Sequence, residues 1–202
     1  MAYILVIALG YFLGCSNMAY YLSKMKKADL RAGGSGNLGA SNAVVLLGWK
    51  AGVLTAVHDI GKSALAVLLA KGLFPGLEHA GTVAGVASVL GHIFPFFLKF
   101  RGGKGFASYY GMTIALNWKL ALCVGIAIVL VTVITDYIVC GTLTTIVSVP
   151  VYIGLTVGWL AAAILCIATG VILFKHRENY PRMLNGTELG LRSAIKGENK
   201  IR

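Results

Sequence analysis

Residues 31–42, RAGGSGNLGASN, and residues 100–108, FRGGKGFAS, are where side chains able to do chemistry gather. In the first stretch glycines alternate with Ser35, Asn37, Ser41 and Asn42, all short hydrogen-bonding groups. In the second they flank Lys104. Glycine lets successive backbone N–H groups converge on an anion with no side chain in the way, and a lysine ammonium is a point charge suited to phosphate. Both stretches read as phosphate-binding loops, with Gly36, Gly102 and Gly103 supplying amides. The same glycines would also suit tight turns and close helix contacts. Two such loops, both rich in polar groups, favour a site.

Better-known phosphate loops fit poorly. G-S-G-N-L-G has the spacing of a dinucleotide fold, but the segment before it, SKMKKADLRA, is charged and offers no buried strand. AVHDIGKS, 56–63, lacks the first glycine of a Walker loop and lies in mid-span.

A third cluster lies in FKHRENYPRMLNGTE, 174–188. Headgroup contacts where a last span exits would explain Lys175 and Arg177. They do not require His176, Asn179 and Glu188, which with Arg177 and Arg182 are the further candidates. His176 is expected to be the only histidine beside the polar site. Asp59 and Lys62 share a helix face at i and i+3 and are expected to pair as a structural staple, with a polar floor beneath the substrate as the alternative. His58 is expected to point elsewhere.

The elements that must position these residues are membrane helices. The chain has 202 residues, 57% hydrophobic and 12% charged, with a mean hydropathy of +0.80. That composition implies a bilayer as solvent. A net charge of +11 could serve nucleic acid, but no segment is polar and long enough to fold as a nucleic-acid domain. Apolar runs at 3–22, 51–70, 79–98, 106–116, 119–135, 137–155 and 158–174 predict an all-α polytopic bundle of about seven transmembrane helices, with five or six as the alternatives because 106–116 is short and polar-edged. The positive-inside rule puts the N-terminus outside and the C-terminus in the cytoplasm, leaving Lys71 and Lys119 outside. Both glycine loops and the basic tail then share the cytoplasmic face. Residues 1–202 are expected to form a single domain.

Absences narrow the chemistry. Seven acids are scattered with no paired-carboxylate motif, so no metal is expected. The four cysteines lie singly in apolar runs and read as packing residues. No serine elbow is present, and no histidine has an acid five residues later.

Taken together, the three segments resemble the bacterial integral-membrane glycerol-3-phosphate acyltransferases that use acyl phosphate as donor. The first family motif, S-G-N-x-G-x-[TS]-N, is matched by Ser35, Gly36, Asn37, Gly39, Ser41 and Asn42. The second, G-H-x-x-P-x-x-x-x-F-x-G-G-K-G, is matched by Gly91, His92, Pro95, Phe100, Gly102, Gly103, Lys104 and Gly105. The third, H-R-x-N-x-x-R-x-x-x-G-x-E, is matched by His176, Arg177, Asn179, Arg182, Gly186 and Glu188. Val45 stands where the family usually carries an arginine, which removes one phosphate contact. Pro181 lies inside the third motif.

The resemblance implies transfer of a fatty acyl group to the 1-hydroxyl of glycerol 3-phosphate, giving lysophosphatidate and inorganic phosphate. It implies a site at the cytoplasmic face of the bacterial plasma membrane, no cofactor, no nucleic acid, and a soluble phosphate acyltransferase as supplier of acyl phosphate. The acyl phosphate is already activated, so direct attack without an acyl-enzyme is expected. Lys104, with the Gly102–Gly103 amides, would hold a phosphate or oxyanion. Ser35, Asn37 and Ser41 would position one phosphate, and Arg177 and Arg182 the other. His176, oriented by Glu188, is a candidate base; a substrate phosphate is the alternative. The competing class is a membrane transporter or binding protein for a phosphorylated metabolite, which would place its site near the midplane.

Overall fold

The computed structural model describes residues 1–195, and every regular element among them is helical. The chain divides into two compact units, Met1–Asn117 and the residues from Trp118 onward.

The first unit opens with α1 (Ala2–Cys15) and α2 (Met18–Met25), one apolar stretch broken at Ser16–Asn17. The expected continuous span over 3–22 therefore has an elbow. Asn17 stabilises it: its Oδ1 accepts the Tyr20 N–H at 2.8 Å and its Nδ2 donates to the Leu38 carbonyl at 3.2 Å. Broken backbone at membrane depth persists where protein satisfies the freed groups. A short helix, α3 (Ala40–Leu47), turns at Gly48 into the long α4 (Trp49–Leu73). Gly48 has φ 89°, the left-handed region that favours glycine.

Next come α5 (Ala80–Ile93), a 3₁₀ turn (Phe96–Leu98) and α6 (Phe106–Leu116). Helix α5 is the buried axis of this unit, and small residues allow the approach. A Cβ on Gly10 would lie 2.2 Å from the Ala84 carbonyl oxygen, and one on Gly14 2.0 Å from that of Ser88. Dispersion between closely apposed backbones holds such pairs where lipid offers no hydrophobic drive. Helices α4 and α5 are also joined by Ser63 and Ser88, whose hydroxyls lie 2.8 Å apart.

The second unit contains α7 (Trp118–Thr135), α8 (Ile138–Thr156) and α9 (Trp159–Lys175). Pro150 lies inside α8, where its missing N–H frees the carbonyl of Ile146. The Thr169 hydroxyl of α9 donates to that carbonyl at 3.0 Å, so the loss is made good by a neighbouring helix. Two short helices follow, α10 (Asn179–Leu184) and α11 (Leu191–Ile195). Asp136 tethers the second: its carbonyl accepts the Leu191 N–H at 2.7 Å, and its carboxylate the Arg192 N–H at 2.8 Å.

Among the described residues, five helical stretches are long and apolar enough to cross a bilayer: Ala2–Met25, Trp49–Leu73, Ala80–Leu98, Trp118–Thr135 and Ile138–Thr156. Helix α9 is apolar and has 17 residues, and α6 has 11.

Candidate active site

The first glycine loop is pinned at both ends by apolar side chains. Leu30 and Leu38 are buried and pack with Ala19 and Leu98, with Tyr20 and Leu47 around them. Leu98 lies in the turn that precedes the second glycine loop, so one apolar cluster supports both loops. Between Leu30 and Leu38 the chain turns tightly. The Gly36 N–H donates to the Gly33 carbonyl at 3.0 Å, and Gly34 and Gly36 have φ 58° and 65°. Ser35, Gly36 and Ser41 are exposed and Asn37 is half-buried.

Asn42 departs from expectation. It is 2% exposed, and its amide is used entirely within the loop. Oδ1 accepts the Ser35 N–H at 2.9 Å. Nδ2 shares its two protons among the carbonyls of Leu30 (2.7 Å), Asn37 (3.0 Å) and Gly33 (3.3 Å). A side chain so engaged shapes the loop and has no donor left for a phosphate. Asn42 is a loop organiser, which corrects its assignment as a phosphate ligand.

The second loop also revises a role. The Gly102 N–H donates to the Ile93 carbonyl at 3.0 Å, and the Gly103 N–H to that of His92 at 3.1 Å. These bonds close the C-terminal carbonyls of α5. The two amides expected to hold an anion are therefore committed to the chain. Their glycines are needed for close approach instead. A Cβ on Gly102 would lie 2.0 Å from the His92 carbonyl oxygen, and one on Gly103 2.0 Å from His92 Nε2. Lys104 is half-buried directly after this pair, and Gly105, at φ 96°, opens α6.

Beneath the second loop is a buried ionic cluster. The Lys62 ammonium donates to Asp59 Oδ1 at 2.8 Å, to the Ser16 carbonyl at 2.6 Å, and to His92 Nδ1 at 2.8 Å. Three donors meet three acceptors. Asp59, Lys62 and His92 are 1%, 7% and 2% exposed. The expected Asp59–Lys62 pair is present. The Ser16 carbonyl is available because the elbow between α1 and α2 has left the helical pattern. His58, expected to point elsewhere, joins the rim: its Nε2 lies 3.0 Å from Ser16 Oγ and its Nδ1 3.5 Å from Asp59 Oδ1. The expectation that only His176 stands beside the polar site is overturned by His92, whose ring lies against Gly103. A signal was present. A histidine inside an apolar, membrane-length run needs a partner, and Asp59 and Lys62 are the charges inside the preceding span.

In the second unit, α9 ends at His176, which is buried, with Nδ1 donating to the Ile172 carbonyl at 2.9 Å. In the neutral ring that bond puts the proton on Nδ1 and leaves Nε2 as the acceptor nitrogen. Glu188 was expected to orient this ring. Instead its Oε1 accepts from Asn179 Nδ2 at 2.6 Å and its Oε2 from Arg182 Nε at 2.8 Å. It thereby folds the tail back over α10. Arg177 is exposed and lies over the Phe174 ring at 4.0 Å.

The loops, the tail cluster and the membrane helices correspond to known proteins along nearly the whole chain. The family model for glycerol-3-phosphate acyltransferase matches residues 4–186. The chain belongs to the glycerol-3-phosphate acyltransferase family. A relative from Thermoanaerobacter pseudethanolicus, a glycerol-3-phosphate acyltransferase, is 38% identical over 96% of this chain and 98% of its own. Another, glycerol-3-phosphate acyltransferase 1 of Oceanobacillus iheyensis, is 35% identical over 96% and 97%. The fold matches that of PlsY, an integral membrane glycerol 3-phosphate acyltransferase, in its glycerol 3-phosphate form. The TM-score is 0.89 and the identity 29%, over 97% of this chain and 98% of that one. The lysophosphatidic acid form of the same enzyme matches at a TM-score of 0.85. Family membership makes this chain an integral-membrane acyltransferase and sets aside the transporter reading.

Proposed function

We propose that this acyltransferase takes its acyl group from a fatty acyl phosphate and passes it to the 1-hydroxyl of glycerol 3-phosphate. The hydroxyl oxygen attacks the acyl carbon, the bond to the phosphate oxygen breaks, and lysophosphatidate and inorganic phosphate leave. The carrying observation is the type of group each unit presents. Lys104 follows a turn fixed to the end of α5, and Arg177 and Arg182 lie on the tail, so each unit offers cations to a phosphate. A reaction in which both substrates carry phosphate uses both sets. The family relatives act on glycerol 3-phosphate, which supplies the acceptor.

In this reading Lys104 neutralises charge that develops on the departing phosphate or the acyl oxygen. Ser35, Asn37 and Ser41, on a loop stiffened by Asn42, position one phosphate. Arg177 and Arg182 position the other, with Asn179 and Glu188 holding Arg182 in place. An acyl phosphate has a good leaving group, so no covalent acyl-enzyme is needed. His176 positions substrate, and a phosphate oxygen of glycerol 3-phosphate takes the hydroxyl proton. The chain crosses the bacterial plasma membrane seven times with the N-terminus outside and the chemistry at the cytoplasmic face. Residues 1–202 work as one acyltransferase domain, supplied by a soluble phosphate acyltransferase. Purified protein should release phosphate from palmitoyl phosphate only when glycerol 3-phosphate is added. Turnover with palmitoyl-CoA and none with palmitoyl phosphate would sink the donor assignment.

A further inference from the structure

The buried ionic cluster has no place in the phosphate chemistry just described, yet it ends at the loop that carries Lys104. An ammonium and a carboxylate inside membrane helices are costly even when paired, and a well-packed apolar pair would often be no less stable. Their geometry is specific. Lys62 is held by Asp59 on its own helix and by the Ser16 carbonyl at the elbow, and its third proton goes to His92 Nδ1. Nδ1 also lies 3.3 Å from Asp59 Oδ1; because the closer ammonium at 2.8 Å can only donate, Nδ1 is its acceptor and carries no hydrogen, and Nε2 carries the ring proton. The imidazole is thus fixed in tautomer and rotation from one side. Its opposite edge, Nε2, fills the space where a side chain on Gly103 would begin. The backbone of the same residue accepts the Gly103 N–H. Gly103 is therefore clamped between the ring and the carbonyl of one histidine, and Lys104 is the next residue.

We propose that His92 is a positioning residue for acyl transfer: locked by Lys62 and Asp59, its ring sets the height of Gly103 and so the placement of the Lys104 ammonium. This rests on the catalytic role given to Lys104 above. A misplacement of about 1 Å at a reacting group costs on the order of 10²-fold in rate, so a rigid support under the loop has a kinetic consequence apart from stability.

Two substitutions separate the two edges of the ring. His92→Asn keeps an acceptor where Nδ1 stands, so Lys62 stays satisfied, but it removes the edge that supports Gly103. His92→Gln keeps an N–H near the place of Nε2 and removes the acceptor for Lys62. Stability and rate should therefore move in opposite order. His92→Asn melts closer to the parent, yet its kcat falls on the order of 10²-fold. His92→Gln melts lower, yet its kcat stays within about tenfold of the parent (a tenth of the range given for such misplacement). Phosphate release and thermal unfolding in detergent measure both. Rates that simply follow melting temperature, or a His92→Asn variant as fast as the parent, would overturn the proposal. If the parent does not use palmitoyl phosphate, the donor assignment fails instead, and the variants are compared with the acyl donor that the parent does use.

Discussion

Asn42 and His92 serve neighbouring loops with different chemistry. Asn42 gathers the first loop with one neutral amide at the edge of the helices, where its partners are backbone groups of residues 30–37. His92 supports the second loop from within the helices and is itself held by two charged groups, Lys62 at 2.8 Å and Asp59 at 3.3 Å, with Lys62 anchored at the α1–α2 elbow. A neutral network fails locally, because each orphaned group costs only its own desolvation. A buried ion pair fails as a unit, because removing one member leaves an unpaired charge where water cannot reach it. The loop that carries Lys104 therefore has the support that tolerates least change.

The sharpest break in that comparison is Asp59→Asn. Leaving the Lys62 charge without its counter-ion costs about 3–5 kcal/mol, seen as a marked drop in melting temperature. Replacing both members, Asp59→Leu with Lys62→Met, should recover much of the stability. A single variant as stable as the parent would show that the pair is not a pair in the membrane. Next comes Lys104→Ala, which removes the group that the ionic support serves. Its kcat should fall about 10²–10³-fold, the range for one lost oxyanion donor, with melting unchanged. Near-normal turnover would reduce GGKG to a packing turn.

The neutral support should be weaker. Asn42→Ala leaves the Ser35 N–H and three carbonyls without their partner and should cost about 1–3 kcal/mol, read by thermal unfolding. Asn42→Asp keeps the acceptor but none of the donors, so it should not rescue; full recovery in that variant would show that only the Ser35 bond matters. The smallest effect is expected at His176→Asn, whose amide can still reach the Ile172 carbonyl. A general base contributes about 10²–10⁴-fold; a positioning histidine should lose about tenfold at most on that scale and leave the shape of the pH–rate profile intact. A loss of all turnover with normal glycerol 3-phosphate binding would make His176 the base.

The long apolar helices and the candidate loops were legible because apolar run length and glycine clusters report local physics directly; the short helices α3, α10 and α11 were not. The Asp59–Lys62 pair followed from i, i+3 spacing on one helix. The partners of that pair did not, because His92 and the Ser16 carbonyl lie on other elements, and nothing in a one-dimensional pattern specifies which elements meet. The elbow at Ser16–Asn17 was hidden inside an unbroken apolar run, since a capping asparagine there changes hydropathy little. The pattern of glycines at 102–103 predicts amide donors for an anion. Their amides instead close α5, and what they supply is the absence of a Cβ. Sequence pattern identifies a glycine that cannot be replaced without saying whether its N–H or its missing side chain is the reason. Glu188 was matched to the wrong partner for a similar cause. Its spacing from His176 is compatible with contact, but the turn after α10 brings it to Asn179 and Arg182.

Direct acyl transfer from acyl phosphate is most directly tested by isotope exchange. Purified protein is incubated with palmitoyl phosphate and labelled inorganic phosphate, first without and then with glycerol 3-phosphate. A covalent acyl-enzyme would return its acyl group to labelled phosphate in the first incubation. Direct transfer predicts no label in palmitoyl phosphate without acceptor, and one phosphate released for each lysophosphatidate formed once glycerol 3-phosphate is added. Label entering palmitoyl phosphate in the absence of glycerol 3-phosphate would contradict it.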